Sequence, residues 1–318
     1  MKINSNINIL YGFDIAESEY LQDKIYREYR RKWHNNPLYN IVEDFPLFLD
    51  IEATSICNLR CPHCVQTKAN FKKGYMEFDL FKKIIDEASD NGCYGCKFHT
   101  IGRGEPLLHK DICKFIIYAK KKGLIDVYLN TNATLLKEDK MKELLDTGLD
   151  RISFSIDGYT KDEYEKNRKG ADFNEVVKNV VLFDAYAQKY NIKIRIQTVE
   201  LPDLNLRHFR DFWKSYCDEI SYIKYKDMSN RENGIKSNWA CQQLWQRMSV
   251  LFNGNILPCN HDDRELAVLG NAKEMSIRKA WSSMKYMREM HLEGNAHIIA
   301  ACEGCYLRTS CVIIGGEV

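Results

Sequence analysis

The sequence predicts an α/β fold: a partial (β/α)6 barrel followed by a small C-terminal cysteine-rich domain. Three observations carry this. Between residues 46 and 226, short runs of strand length alternate with stretches of helical period. The glycine-rich and turn segments fall just after the expected strands, the end at which α/β barrels build their sites. After about residue 228 the alternation stops, and five of the chain's twelve cysteines follow.

Residues 1–45 are polar, with the basic stretch Arg27-Glu28-Tyr29-Arg30-Arg31-Lys32, and read as an extension whose helix packs on the main domain. Pro46 to Ala53 reads as a buried strand. Phe78 to Asn91 is a helix with Phe81, Ile84, Ile85 and Ala88 on one face and Gly92 as its stop. Lys97 to Gly102 is the second strand, Asp111 to Lys122 a helix closed by Gly123, Val127 to Asn130 the third strand, and Lys137 to Thr147 a helix closed by Gly148. Arg151 to Asp157 is the fourth strand. A helix from Asn174 to Tyr190 carries the stripe Val177, Val180, Val181 and Ala185. Lys193 to Glu200, a helix from Leu206 to Cys217, and Tyr222 to Lys226 complete the series.

Six strands alternating with five helices imply a parallel sheet with right-handed crossovers. Eight units would close a barrel, and six leave it open. The barrel domain is expected over 46–228 and the small domain over 229–318, entered through the polar linker Ser229 to Gly234. In that tail, Val250 to Cys259 reads as a hairpin with an Asn-Gly turn, and Ser276 to Leu292 as a helix.

Composition narrows the function. Of 318 residues, 46 are basic and 44 acidic, a net charge of +2, which makes no electrostatic case for nucleic acid or an anionic membrane as partner. No run approaches 18 apolar residues, so no membrane span is expected. The N-terminus lacks the apolar run and small-residue cleavage site of a secretory signal, so the expected location is cytoplasmic. In a reducing compartment twelve cysteines are not expected to form disulfides. Clustered thiols in such a chain point to metal or iron–sulfur ligation.

The first group is Cys57-Asn58-Leu59-Arg60-Cys61-Pro62-His63-Cys64. Three thiolates in eight residues can wrap a loop around one centre. Three ligands leave one iron of a cubane open to a non-protein ligand. Zinc is the alternative, with His63 as a fourth ligand. Cys93-Tyr94-Gly95-Cys96 has the spacing of a redox or metal pair but, with no second pair beside it, reads as buried core; Cys113 reads as core and Cys217 as core or a spare thiol, while Glu52, His99 and Gln197 could face a pocket or the core.

Cys57-x3-Cys61-x2-Cys64 after the first strand of a partial barrel resembles the signature of the radical S-adenosylmethionine enzymes. The resemblance implies a 4Fe–4S cluster on these three cysteines, with S-adenosylmethionine on its open iron. One electron then cleaves the cofactor to methionine and a 5′-deoxyadenosyl radical. His63 stands where that family places a residue near the adenine. Gly102-Arg103-Gly104-Glu105-Pro106 resembles the family's Gly-Gly-Glu-Pro motif, which binds the methionine amino group, with Arg103 in place of the first glycine. Asn130-Thr131-Asn132 stands where the family often reads Thr-Asn-Gly, with Asn132 implied at the cofactor, and Ser155 at the end of the fourth strand and the downstream Arg168 occupy positions that in similar enzymes reach the cofactor's carboxylate and ribose.

The tail resembles the SPASM and twitch extensions of the same family, which hold auxiliary 4Fe–4S clusters. It implies one auxiliary cluster on Cys241, Cys259, Cys302 and Cys305. Cys311 is then a spare thiol, an alternate ligand, or a catalytic hydrogen donor. An external one-electron donor such as flavodoxin or ferredoxin is implied as partner. Similar single-auxiliary-cluster enzymes act on sugars and aminocyclitols. Peptide maturases of the wider group often carry an added recognition domain, for which residues 1–45 are too few. The reading is therefore dehydrogenation or epimerisation of a small hydroxylated substrate. Maturation of a ribosomally made peptide and a non-catalytic iron–sulfur role are the alternatives.

Overall fold

The computed structural model describes residues 9–12, 23–99, 103–225 and 240–305. Gly102, the linker Ser229 to Gly234 and Cys311 lie outside the described residues. In chain order the elements are β1 (Ile9–Gly12), α1 (Lys24–Leu38), β2 (Phe48–Ile51), α2 (Val65–Lys68), α3 (Phe78–Asp90), β3 (Gly95–Phe98), α4 (Ile112–Lys121), β4 (Asp126–Thr131) and α5 (Glu138–Leu145). There follow β5 (Arg151–Ser155), α6 (Lys161–Asn167), α7 (Phe173–Ala187), β6 (Lys193–Glu200), α8 (Leu206–Trp213) and β7 (Glu219–Lys224). The tail holds α9 (Gln243–Gln246), β8 (Arg247–Val250), β9 (Asn255–Leu257), β10 (Gly270–Asn271), α10 (Ile277–Ser283) and α11 (Lys285–Leu292).

The six expected strands are β2 to β7, parallel and adjacent in sequence order. Their residues alternate. Leu49, Ile51, Phe98, Val127, Leu129, Ile152, Phe154, Ile194 and Ile196 join the main apolar core. Lys97, His99, Tyr128, Asn130, Arg151, Ser155, Arg195 and Gln197 face the barrel cavity instead. The outer face thus buries aliphatic side chains under helices, while the inner face stays polar, so the lumen is a chamber rather than a packed core.

At the N-terminal end of the strands this polar lining neutralises itself. Arg151 pairs with Asp126 at 2.6 Å and Arg195 with Glu219 at 2.7 Å. Lys97 and Arg247 share Asp50, each at 3.4 Å. Helix α1, capped by the Asp23 carboxylate accepting from the Ile25 and Tyr26 N–H groups, closes this end. Tyr29 is buried in it, stacks on Tyr94 at 4.9 Å and donates its hydroxyl to Asp126. The expected N-terminal helix is therefore the barrel's plug.

Two features depart from expectation, the pairing of the tail and a break in its long helix. The tail does not stand apart: β8 pairs in parallel with β2, and β9 and β10 extend the same sheet to ten strands, with β1 antiparallel on the far edge. The expected hairpin is β8 and β9, turning at Gly254 with φ +94. The helix expected over 276–292 is broken at Met284 into α10 and α11. There the Ser282 and Ser283 hydroxyls donate back to the Arg278 and Ala280 carbonyls and compete with the helix. Cys217, a candidate spare thiol, lies just before β7, at the end of the barrel away from Cys57. Among the described residues no helix is long and apolar enough to cross a membrane.

Candidate functional site

A cavity of about 440 Å3 occupies the barrel. Cys57, Cys61 and Cys64 line it, on the loop that leaves β2. The loop's shape is set by its own side chains. Arg60 donates to the Cys57 carbonyl, Thr67 to the Cys61 carbonyl and Gln66 to the Ser55 carbonyl. The Arg60 N–H reaches the Lys169 carbonyl, which ties this loop to the segment after α6. Burial pushes the Cys57 thiol up to about 11, and raises Cys61 and Cys64 as well. In the protein alone these are thiols, and ligation is what would make them thiolates.

Gly104 and Glu105 stand beside this loop. Gly104 has φ +82, and a Cβ there would sit 1.9 Å from the Thr54 carbonyl oxygen, so only glycine lets the two loop backbones meet. The Glu105 carboxylate is buried and accepts from the Thr131 hydroxyl at 2.7 Å, the Asn132 N–H at 2.7 Å and the Leu107 N–H at 3.1 Å. Burial raises its pKa, and these donors partly offset that. With three of about four lone-pair positions in use, this side chain locks the loop after β4 and keeps one position for a ligand. Asn132, thus held, donates to Asn58 and lies 3.9 Å from the Cys57 sulfur.

His63, Arg168 and Ser155 line the same cavity. The first two converge on a residue the sequence reading passed over. The Asp157 carboxylate stands 2.6 Å from Arg168 Nε and 3.1 Å from His63 Nε2, and accepts from the Val199 N–H at 2.9 Å. Burial disfavours its charge, but Arg168 and then His63 outweigh it and hold the carboxyl well below the usual range. The arginine expected to reach a cofactor carboxylate thus already has a carboxylate of its own. Its guanidinium also lies near Cys61. His99 faces the cavity too. Burial, with Lys97 and Arg168, lowers it to about 3, so the ring is neutral.

Arg103, in the position of the absent glycine, has a different task. Its Nε lies 2.5 Å from Glu52 on the segment after β2, and its Nη2 2.8 Å from Glu265 in the tail. Its guanidinium lies over the Phe71 ring at 4.4 Å. Glu52 also accepts from the Phe252 N–H. Glu52 is therefore part of a buried clamp between barrel and tail. Arg103→Met leaves that carboxylate buried without a cation, at an expected cost of about 3–5 kcal/mol. Hydrogen exchange over residues 252–265 should rise first, and a melting temperature equal to that of the parent protein would contradict the clamp.

The second group of thiols also comes together. Burial raises Cys259 well above the usual thiol range, and the charges of Cys302, Cys241 and Cys305 close by add to it. Asn260, His261 and Asp263, which follow Cys259, and Gln242 and Gln243, which follow Cys241, line the barrel cavity. Among the described residues no three His, Cys, Asp or Glu side chains converge as the ligands of a single metal ion do. Thiolates of a cubane sit on separate irons. Three loop thiols facing a cavity fit a 4Fe–4S cluster with one open iron, and four gathered thiols fit a closed one. Cys93, Cys96 and Cys113 are buried elsewhere in the core.

Residues 51–214 match the model of the Radical SAM superfamily, and residues 241–306 that of SPASM, an iron–sulfur cluster-binding domain. The chain is 32% identical over 234 residues to a GTP 3′,8-cyclase of Clostridium botulinum (strain Hall), covering 71% of this chain and 70% of that protein. It is 25% identical over 326 residues to the tungsten-containing aldehyde ferredoxin oxidoreductase cofactor-modifying protein of Pyrococcus furiosus, covering 83% and 88%. Among solved structures it resembles BtrN in complex with AdoMet and 2-DOIA, with a TM-score of 0.53 and 20% identity over 81% of this chain and 93% of that one. It also resembles Streptococcus suis SuiB bound to S-adenosylmethionine, with a TM-score of 0.60 and 18% identity over 80% and 69%.

Proposed function

Because the chain belongs to the radical SAM superfamily and carries a SPASM iron–sulfur domain after its barrel, we propose that it abstracts a hydrogen atom from a small hydroxylated substrate of the sugar or aminocyclitol type, giving dehydrogenation or epimerisation. The family's cofactors are a 4Fe–4S cluster with S-adenosylmethionine and, in the SPASM domain, a second cluster. When bound and reduced, they supply a 5′-deoxyadenosyl radical. A flavodoxin or ferredoxin is the fitting electron donor.

This chain's residues divide the remaining work. Cys57, Cys61 and Cys64 hold the first cluster, and Cys241, Cys259, Cys302 and Cys305 the second. Gly104 would admit the cofactor to the backbone, Glu105 would hold its ammonium, and His63 would stand on its adenine side. Asn132 and Ser155 face the cofactor, and Arg168, held by Asp157, keeps a positive charge beside the cluster loop.

One observation carries the choice of substrate. The cavity wall holds three amide oxygens that are buried and have no hydrogen-bond partner among the described residues: Asn130 Oδ1, Gln243 Oε1 and Asn260 Oδ1. A buried acceptor without a partner is costly, and a ligand rich in hydroxyl or amino donors removes that cost. A cavity of about 440 Å3 suits a small molecule.

The test offers sugars, inositols and aminocyclitols beside GTP and peptides to the reconstituted enzyme, and reads 5′-deoxyadenosine formed above the substrate-free level. A polyol should stimulate it, and Asn130→Leu and Gln243→Leu should each lower kcat/KM roughly ten- to a hundredfold. Stimulation by a peptide alone would overturn the reading. Turnover in deuterated water then separates the two outcomes. Solvent deuterium at an inverted carbon, lost in Cys311→Ala, marks epimerisation with Cys311 as hydrogen donor. A carbonyl product without solvent deuterium marks dehydrogenation.

A further inference from the structure

Helix α11 presents an unusual inner face: Met287, Arg288 and His291 are its buried residues. Two cationic side-chain types inside a small domain need partners. Arg288 finds carbonyls, donating to Leu244 at 2.8 Å and Trp281 at 3.3 Å. His291, only 1% exposed, finds the second thiol group. Its Nδ1 accepts the Cys241 backbone N–H at 3.1 Å, and its Nε2 lies 3.3 Å from the Cys302 sulfur.

The first contact fixes the second. A backbone N–H only donates, so Nδ1 carries the lone pair and the proton of the neutral ring lies on Nε2. That N–H is aimed at sulfur. One ring therefore spans two cysteines 61 positions apart in the chain, Cys241 ahead of α9 and Cys302 after α11.

We propose that His291 is a positioning residue for the auxiliary cluster. Its Nε2–H donates to the Cys302 thiolate and raises the potential at which that cluster accepts an electron. A donor on a ligand sulfur offsets part of the charge added on reduction, and hydrogen bonds to sulfur are among the levers that set such potentials. Burial strengthens the effect. One electron enters the cluster, and the ring keeps its proton throughout. Dehydrogenation needs an acceptor for the substrate radical's second electron, and a raised potential favours that transfer. The inference rests on Cys302 being a ligand and stands whichever substrate the barrel takes.

The test is a potentiometric titration of the reconstituted full-length protein, followed by EPR. The auxiliary signal is the one that S-adenosylmethionine leaves unchanged. His291→Leu should shift the reduced-to-oxidised ratio at a fixed poise about tenfold toward oxidised, which is about 59 mV for one electron. His291→Gln, which keeps an N–H, should shift it less. An unaltered midpoint in His291→Leu with its iron intact overturns the proposal. Should that variant lose its auxiliary iron, pulsed EPR of the parent protein with 15N-labelled histidine decides. A weak nitrogen coupling with an exchangeable proton is expected. A coupling of direct-ligand size, or none, overturns it. Retention of auxiliary iron in Cys302→Ala instead shows that the ligand assignment has failed.

Discussion

Replacing Cys57, Cys61 and Cys64 together by alanine is expected to remove about half of the protein's iron and all cleavage of S-adenosylmethionine. The split follows from the two thiol groups. On the proposed assignment, three thiols on the loop after β2 would serve one cluster, and Cys241, Cys259, Cys302 and Cys305 the other. The tail thiols share no ligand with the loop, so the auxiliary spectrum should persist. Iron analysis and chromatography of 5′-deoxyadenosine read both effects. Cleavage that continued in the triple variant would refute the assignment of the loop.

Asp157→Asn should be among the most damaging changes that spare every cysteine. Asp157 is fully buried and neutralises Arg168, whose side chain is 13% exposed. The variant leaves a buried guanidinium without a counter-charge, at an expected cost of about 3–5 kcal/mol. A fall in melting temperature of roughly 10 °C follows for a chain of this size. The pH dependence gives a second reading. Arg168 and His63 depress the folded carboxyl's pKa, so its contribution is fully present above the unfolded value near 3.9. It is lost as pH falls through the lower folded value. The parent protein should therefore lose stability on the acid side more steeply than Asp157→Asn. Parallel acid limbs would contradict the role given to this carboxylate.

Much of this molecule was legible before any coordinates. The strands announce themselves because aliphatic residues at alternate positions meet helices while the intervening polar residues face the lumen, as in Ile194-Arg195-Ile196-Gln197. The cysteine loop is legible because its ligands are neighbours in sequence. Gly104 is legible because no other residue permits that backbone approach.

What was missed are relations between distant segments. Nothing local marks Asp157 as the meeting point of His63 and Arg168, or pairs Arg103 with both Glu52 and Glu265. His291 looks like any histidine on an amphipathic helix until the fold brings Cys241 and Cys302 against it. The parallel pairing of β8 with β2 joins residues about 200 positions apart and leaves no trace in either segment's periodicity. The break at Met284 hides because propensity favours one continuous helix, and only the hydroxyl back-bonding of Ser282 and Ser283 opposes it.

The proposed function requires one barrel cavity to hold a reducible cluster with an open iron, beside a second cluster in the tail. Anaerobic reconstitution followed by reduction with dithionite in the presence of S-adenosylmethionine tests it most directly. About eight irons per chain and steady formation of 5′-deoxyadenosine are the expected result. A fully loaded protein that leaves S-adenosylmethionine intact under reducing conditions would contradict the account.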